Sequence, residues 1–540
     1  MSNIIAPSKT LGYTSIFLDF LTGSGPARSF FHASGPQEVA AGLDGLDYDR
    51  SALVDILVAQ NQLYRASGKT FENINKLRKD DAVCVFAGQQ AGLFGGPLLV
   101  MYKALAVVKA AAEYERQLGR PVVPMFWIAG DDHDFEEVNH TFVINRASEV
   151  ARISYDTPPD VAVSVSKVVF VDENALAKAK DSLKQSLGET DFTGELYDLI
   201  DRSYTGSETF VSAFGKMMAE LTADFGLVFF SPGDKRAKQR AARLFKAIVE
   251  NEKEIGALFS ATNEQLRGYG YHLQVQKDET ATHLFYEHDG RKAIHRSSDG
   301  YMVGEMKMTR EQLISEIDAH SERFSPDVMT RPVLQSYLFP VVSQKGGGAE
   351  IAYLAQINGI FEIFDLTAPY YRARPSITVI EKRFEKMMKE HGIGFEELAG
   401  DIEQVINRVL ARSFPDDIES RFDEFRGRLG EHFQQFVDEA LQFDPALRKV
   451  AEQTMGKIDY NVKAFEAKVF SSHKKKSQET RERIYRLHDA LRPGRNFQER
   501  AVNISYFLSK YGRGFVDFIY DRMESEEMAH QLVYLSEMQD

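Results

Sequence analysis

"AVCVFAGQQAGLFGGPLLVMYKA", residues 82–104, decides the fold. The run from Ala82 to Gly88 is short, β-branched and uncharged, which predicts a strand buried on both faces. The glycine-rich "GQQAGLFGG" reads as a turn, and Pro97 suits the first turn of a helix, where its missing N–H has no partner to lose. Leu98, Met101, Leu105, Val108 and Ala112 recur three or four apart and predict one buried helix face. Gly119 and Pro121 stop that helix, and "VVPMFWIAG", residues 122–130, predicts a second buried strand. Strand, helix and strand in that order make a β-α-β unit with parallel strands and a right-handed crossover. Both strands then end at one edge of the sheet. The glycine loop and the acidic loop "GDDHDFEE", residues 130–137, emerge there side by side. Open α/β sheets bind ligands in that crevice.

The ten positions from Asp131 to His140 hold five carboxylates and two histidines. Three readings fit. His133 with Asp132, Asp134 or Glu136 offers metal ligands, although the spacing matches no standard zinc pattern. The same residues offer general acid–base groups, because clustered carboxylates raise one another's pKa. Some of the acids also suit the cap of a following helix. In the glycine loop, Gly88, Gly92, Gly95 and Gly96 precede a helix start, where free N–H groups favour an anion. The loop is neither a Walker A sequence nor a dinucleotide fingerprint. Gln89 and Gln90 are candidates to hydrogen-bond a polar ligand, and Lys103 reads equally as a ligand contact or a surface lysine. A second nest, Gly346, Gly347 and Gly348, precedes an expected helix with Glu350 in its first turn. His272 and Gln274 fall on one face of an expected strand. Arg331, Arg372 and Arg374 are candidate cations for carboxylates or phosphates, with a structural salt bridge the competing role for the last two.

The rest of the chain sorts by pattern. Residues 1–75 read as an N-terminal helical segment, with Leu53, Ile56, Leu57 and Leu63 on one expected helix face. Residues 76–235 read as the core with an insertion, including a strand-like "VAVSVSKVVFV" at 161–171 and a buried strand within "GLVFFSPGD" at 226–234. Residues 236–325 read as a second α/β insertion and 326–380 as a return to the core. Within 381–490, Ile418, Phe422, Phe425, Leu429, Phe433 and Phe436 form one apolar stripe; Leu447, Val450, Thr454, Ile458, Val462, Phe465 and Val469 form another. Two such stripes predict an antiparallel coiled coil, with a helical bundle as the other reading, and a projecting coiled coil supports a homodimer. Residues 491–540 are expected to dock on the core. The chain has 540 residues and a formal charge of 65 − 79 = −14, so no nucleic-acid partner is expected. It has no apolar run of about 18 residues and no signal core, so no membrane partner is expected and a cytoplasmic protein is. Cys84 is the single cysteine, expected as a small buried hydrophobe.

The stretches "FAGQQAGLFGGPLLVMYKA", "FWIAGDDHDFEEVNH", "GYHLQV", "RPVLQSYLFPVVSQKGGGAEIAYLAQ" and the C-terminal "NFQER" with "KYG" resemble, in order and over nearly the whole chain, the bacillithiol biosynthesis cysteine-adding enzymes. That family usually carries a proline within the glycine run, where this chain reads "GGGAE". The resemblance implies a Rossmann-like core, similar to class I aminoacyl-tRNA synthetases and related nucleotidyl transferases, with inserted regions and a C-terminal coiled coil used for dimerisation. It implies a ligase joining cysteine to the amine of glucosaminyl malate, with an adenine nucleotide (ATP or ADP) as a further ligand and the metal requirement open. On that reading His133, Asp132, Asp134 or Glu136 supplies the base. Gln89, Gln90, Gly95 and Gly96 hold the acid or phosphate, and Gly346 to Gly348 close the other side. A tRNA synthetase is disfavoured, since the chain has neither a His-Ile-Gly-His nor a Lys-Met-Ser-Lys-Ser stretch. Two other classes stay open on the residues: a nucleotide-binding assembly protein without catalysis, and a metal-dependent hydrolase using the acidic loop.

Overall fold

The computed structural model describes residues 4–412 and 417–538. Five strands form its central sheet: β1 (Val83–Gln89), β2 (Val122–Ile128), β3 (Val228–Phe230), β4 (Val341–Gly346) and β5 (Tyr370–Ala373). Their order is β5-β4-β1-β2-β3, and every neighbouring pair is parallel. The chain runs outward from β1 to β3, then returns to the other side of β1 for β4 and β5. The switch point therefore lies between β1 and β4, and the crevice of a doubly wound sheet opens beyond their carboxyl ends. All seven residues of β2 are buried, as strands covered on both faces require. Gly88 lets β1 and β2 approach: a Cβ there would lie 2.9 Å from the Trp127 carbonyl oxygen.

Helix α1 (Leu98–Leu118) carries the crossover and ends at Gly119, whose φ of +65° allows its N–H to reach the Glu115 carbonyl at 3.0 Å. A single buried face was the expectation. Instead the helix is buried almost all round as far as Ala111, while Ala112 is exposed. The reason is the C-terminal segment, which returns over the helix start; Leu98 N donates to the Val502 carbonyl at 2.9 Å.

The first insertion opens with the short helix α2 (Phe135–Val138) and the antiparallel pair His140–Ile144 and Val150–Ser154. The strand expected at 161–171 is absent. That segment uses its backbone to lash the acidic loop: Val165 N donates to the Asp132 carbonyl at 2.7 Å and Ser166 N to the Gly130 carbonyl at 2.9 Å. The second insertion holds two long helices, Lys235–Glu250 and Glu252–Gly268, then an antiparallel sheet built on the hairpin Ala281–His288 and Gly290–Ser297, with Phe324–Pro326 on one edge. "GYHLQV" precedes this sheet without pairing. Its alternation holds, with Tyr271 and Leu273 buried, but His272 and Gln274 are exposed.

The chain returns to the core through β4 and helix α3 (Gly348–Ile357). Ser376–Ile380 pairs in parallel with His530–Tyr534, which in turn pairs with Ile4–Ile5. In the N-terminal helix Arg50–Leu63, residues Leu53, Ile56 and Leu57 are buried; Leu63, expected with them, is 54% exposed at the helix end. One compact unit runs to Glu381 and resumes at Asn496; Lys382–Arg495 is a second. In the second, α4 (Ile418–Phe443) and α5 (Arg448–Leu491) are joined by a short turn and run antiparallel. Phe422 meets Phe465 with ring centroids 6.0 Å apart, and Arg426 pairs with Glu466. Among the described residues no helix is long and apolar enough to cross a membrane.

Asp327 secures the edge where the second insertion rejoins the core. Its carboxylate accepts from Met329 N at 2.8 Å and Thr330 N at 3.0 Å, and pairs with His283 and Lys277 at 3.2 and 3.0 Å. Burial opposes its charge, but the hydrogen bond and charge of His283, with Lys277, hold the carboxyl down at about 2. The folded value lies below the unfolded one of about 3.9, so this contribution is complete above about pH 4 and is lost as the pH falls towards 2. Asp327→Asn removes it. The stability gap to wild type, followed by urea titration of Trp127 fluorescence, is expected to shrink by roughly 2 kcal/mol between about pH 4 and pH 2. A gap independent of pH contradicts the assignment. In the same assay Gly88→Ala is expected to cost about 1–3 kcal/mol, because the new methyl meets backbone that cannot yield. An unchanged midpoint would show that the two strands have room to spare.

Candidate functional site

The carboxyl ends of β1 and β4 open into a cavity of about 580 Å³. Its wall includes Gly88, Gln89 and Gln90 from the end of β1, Trp127 and Asp131 to His133 from the end of β2, and Gly347 to Glu350 at the start of α3 apart from Gly348. The glycine loop and the acidic loop are bonded directly. Gln90 Nε2 donates to Asp132 Oδ2 and to Glu137 Oε2, each at 2.7 Å.

Lys103 is not a surface lysine. It is 3% exposed, and its ammonium donates to the Gly88 carbonyl at 2.8 Å, to Gln89 Oε1 at 2.9 Å and to Glu350. Glu350 Oε2 also accepts from Gly347 N at 2.9 Å. Burial pulls Lys103 below the usual lysine range, against the pull of Glu350. Burial also works against the Glu350 charge, but Lys103 and the Gly347 N–H outweigh it and hold that carboxyl below the usual range.

One side of the cavity gathers the carboxylates Asp131, Asp132 and Glu137, with the Arg291 cation among them. Asp132 Oδ1 accepts from His133 N at 2.7 Å, and Asp131 pairs with Lys238 at 3.0 Å. His133 Nδ1 lies 3.0 Å from an Arg291 guanidinium nitrogen. Asp134 and Glu136 do not line the cavity. Asp134 is exposed and caps α2 by accepting from Glu137 N at 3.2 Å, and Glu136 is exposed.

The other side is cationic, with Arg331, Arg374 and Arg500. Arg331 donates to Tyr353 OH. Arg374 pairs at 2.8 Å with Glu499, a fully buried carboxylate that also accepts from Ser376 Oγ at 3.0 Å and Ile377 N at 2.7 Å. Arg500 reaches solvent at the cavity, yet desolvation and then the charge of Arg374 pull it below the usual guanidinium range. Like charges crowded in this way suit an anion between them. Arg372 turns elsewhere and binds Glu526 at 3.0 Å.

The glycines serve the fold more than a ligand. Gly95 N donates to Tyr204 OH at 3.0 Å and Gly96 N to the Leu93 carbonyl at 3.1 Å, so neither N–H is open to an anion. Asn503 Nδ2 donates to the Phe94 and Gly96 carbonyls at 3.0 and 2.7 Å, so this loop anchors the C-terminal segment. Gly346 gives its carbonyl to Arg374 N at 2.8 Å, and Gly348 packs on Phe17, where a Cβ would come within 3.0 Å. Of the three only Gly347 lines the cavity, and its N–H is taken by Glu350. His272, Gln274, Gly95, Gly96, Gly346, Gly348 and Arg372 are therefore outside the cavity wall.

Several wall residues were not singled out from sequence. Asp131 and Glu137 lie inside the acidic loop, and Arg500 closes "NFQER", so a local signal existed for these. Lys277, Phe285, Arg291, Asp327 and Tyr353 arrive through tertiary structure. Trp127 adds an indole N–H that is buried without a partner. Cys84 is buried in β1, away from the wall, with its thiol pushed up by burial. Among the described residues, no group of three or more His, Cys, Asp or Glu side chains converges as metal ligands.

The sequence relationships agree with this architecture. The profile described as "Bacillithiol biosynthesis BshC, N-terminal Rossmann-like domain" matches residues 2–375, and "Bacillithiol biosynthesis BshC, C-terminal coiled-coil domain" matches residues 377–535. A Salinibacter ruber protein named "Putative cysteine ligase BshC" is 30% identical over 98% of this chain and 97% of its own length. Proteins of the same name from Koribacter versatilis and Geobacillus kaustophilus are 31% and 30% identical, over 94% and 97% of this chain and 95% and 98% of their own lengths. With its Rossmann-like parallel sheet and C-terminal coiled coil, the chain belongs to the bacillithiol biosynthesis BshC family.

Proposed function

We propose that this chain is a cysteine ligase that joins the cysteine carboxylate to the amine of glucosaminyl malate, giving bacillithiol. The names of its relatives support the ligase class and the cysteine substrate. The observation that carries the rest is the polarity of the cavity wall, where Asp132 and Glu137 stand with Arg291 beyond β1 and β2, and Arg331, Arg374 and Arg500 outnumber Glu350 on the β4 side. A substrate with an amine at one end and two carboxylates at the other matches that polarity. The malyl carboxylates face the arginines and the amine faces Asp132.

Amide formation from a free carboxylate in water is uphill, so the acid needs activation. An adenine nucleotide is the co-substrate that supplies it, and the arginines also suit its phosphates. The amine attacks only as the neutral base, so a carboxylate must take its proton. Asp132 fits that task better than the other candidates. It faces the cavity and is oriented by Gln90, whereas Asp134 is used as a cap and Glu136 is exposed. We place the reaction in the cytoplasm.

The second unit supports a homodimer. Phe425, Phe436, Phe443 and Phe465 are 53%, 66%, 91% and 61% exposed in a single chain, and a second copy of the hairpin would cover them.

Purified protein with cysteine, glucosaminyl malate and ATP is expected to yield bacillithiol. AMP with pyrophosphate marks an adenylate route and ADP with phosphate an acyl phosphate route; consumption of neither substrate contradicts the ligase assignment. Asp132→Asn is expected to lower kcat about 100-fold or more with little change in KM. Arg500→Met is expected to raise KM for glucosaminyl malate by about 10-fold or more, the scale of a charged hydrogen bond. In sedimentation the wild type is expected to run as a dimer and a Phe436→Glu, Phe443→Glu variant as a monomer. A monomeric wild type refutes the interface.

A further inference from the structure

We propose that Arg291 is a positioning residue that fixes His133 as the Nε2–H tautomer, so that His133 acts in the cavity as a hydrogen-bond donor and not as a base. The donor role rests on the ligase reading above; the tautomer does not.

The geometry starts from what each group is able to do. A guanidinium only donates, so a ring nitrogen 3.0 Å from Arg291 Nη1 must accept. That nitrogen is Nδ1 of His133, and the proton of the neutral ring then sits on Nε2. Asp132 Oδ1 is the competing partner, which would favour a proton on Nδ1. It lies 3.7 Å away, beyond hydrogen-bond range, and it accepts instead from the His133 backbone N–H at 2.7 Å.

Arg291 is held on every side. Its Nε donates to Ser325 Oγ at 3.0 Å and its Nη2 to the Pro326 carbonyl at 3.3 Å. The guanidinium carbon lies 3.6 Å from the centroid of the Phe285 ring, which also packs 6.0 Å from the His133 ring. The backbone is fixed as well, because Arg291 N donates to the Ala162 carbonyl at 2.7 Å. The residue before it, Gly290, has φ +84°, and a Cβ there would meet the same carbonyl at 3.2 Å. The carboxylates acting on the guanidinium are Asp131, Asp132, Glu287 and Asp327, of which Asp131, Glu287 and Asp327 are also paired with Lys238, Lys167 and Lys277. Thus an insertion hairpin delivers one rigid cation to one nitrogen of a histidine on the β2 loop, and among the described residues Nε2 has no hydrogen-bond partner. A donor in that place suits negative charge developing on a reacting carboxylate oxygen.

The test uses full-length protein labelled with ¹⁵N-histidine and long-range ¹H–¹⁵N correlation at neutral pH. The His133 ring signals are those lost in His133→Gln. The expected wild-type pattern is a bare Nδ1 and a protonated Nε2. In Arg291→Met the two nitrogens are expected to move together as the tautomers mix, while Arg291→Lys, which keeps a donor, tests the cause if the methionine variant does not fold. A wild-type Nδ1–H, or an unchanged pattern in a folded variant without the donor, overturns the proposal. In the ligase assay His133→Ala is expected to lower kcat about 100-fold, and His133→Gln, which offers an amide N–H but no basic nitrogen, to regain about 10-fold of that loss. Equal losses in the two variants overturn the donor role. A wild type that makes no product removes the ligase reading and the donor role with it, but leaves the tautomer pattern to stand or fall by itself.

Discussion

The buried ion pair between Lys103 and Glu350 is the interaction on which the site depends. Its two partners come from helices that follow β1 and β4, the strands on either side of the switch point. The ammonium also takes the Gly88 carbonyl and the Gln89 side chain, so one group closes the ends of both strands. A charge left alone in such a place would cost about 3–5 kcal/mol, so the pair is coupled to the geometry around it. It aligns Gln89 and thereby Gln90, which carries the link onward to Asp132 and Glu137.

Much of this was legible in the sequence, for a clear reason. The strand-helix-strand reading of residues 82–128 depends on local signals, namely uncharged β-branched runs, a proline at a helix start and a glycine at its end. Parallel pairing then forces the two loops to one edge without further information. The glycine roles were not legible, because glycine density reports backbone freedom and not its purpose. At Gly95 and Gly96 the freedom serves Tyr204 and Asn503, whose contacts span more than a hundred residues of chain. The segment 161–171 alternates like a strand, but its hydrogen bonds are claimed by Gly130 and Asp132. Arg291 carries no local signal at all, since only the folded hairpin brings it to His133.

The site is a composite of distant pieces with separate tasks. The parallel sheet supplies the crevice and the acidic loop. The second insertion supplies Arg291, which reaches that loop at His133, and Asp327 secures the edge where the insertion rejoins the core. The C-terminal segment supplies Glu499 and Arg500, and Glu499 holds Arg374 in place. This explains why "NFQER" lies so far along the chain from the loops it serves: the segment resumes the first unit after the second unit is complete. On the proposed function, the division leaves a side for the amine and a side for the anion within one cavity.

That opposition is most directly tested by the structure of the protein bound to glucosaminyl malate. The malyl carboxylates are expected among Arg331, Arg374 and Arg500, with the amine within hydrogen-bond reach of Asp132. A ligand bound in the reverse direction, or seated outside the crevice between β1 and β4, would contradict it.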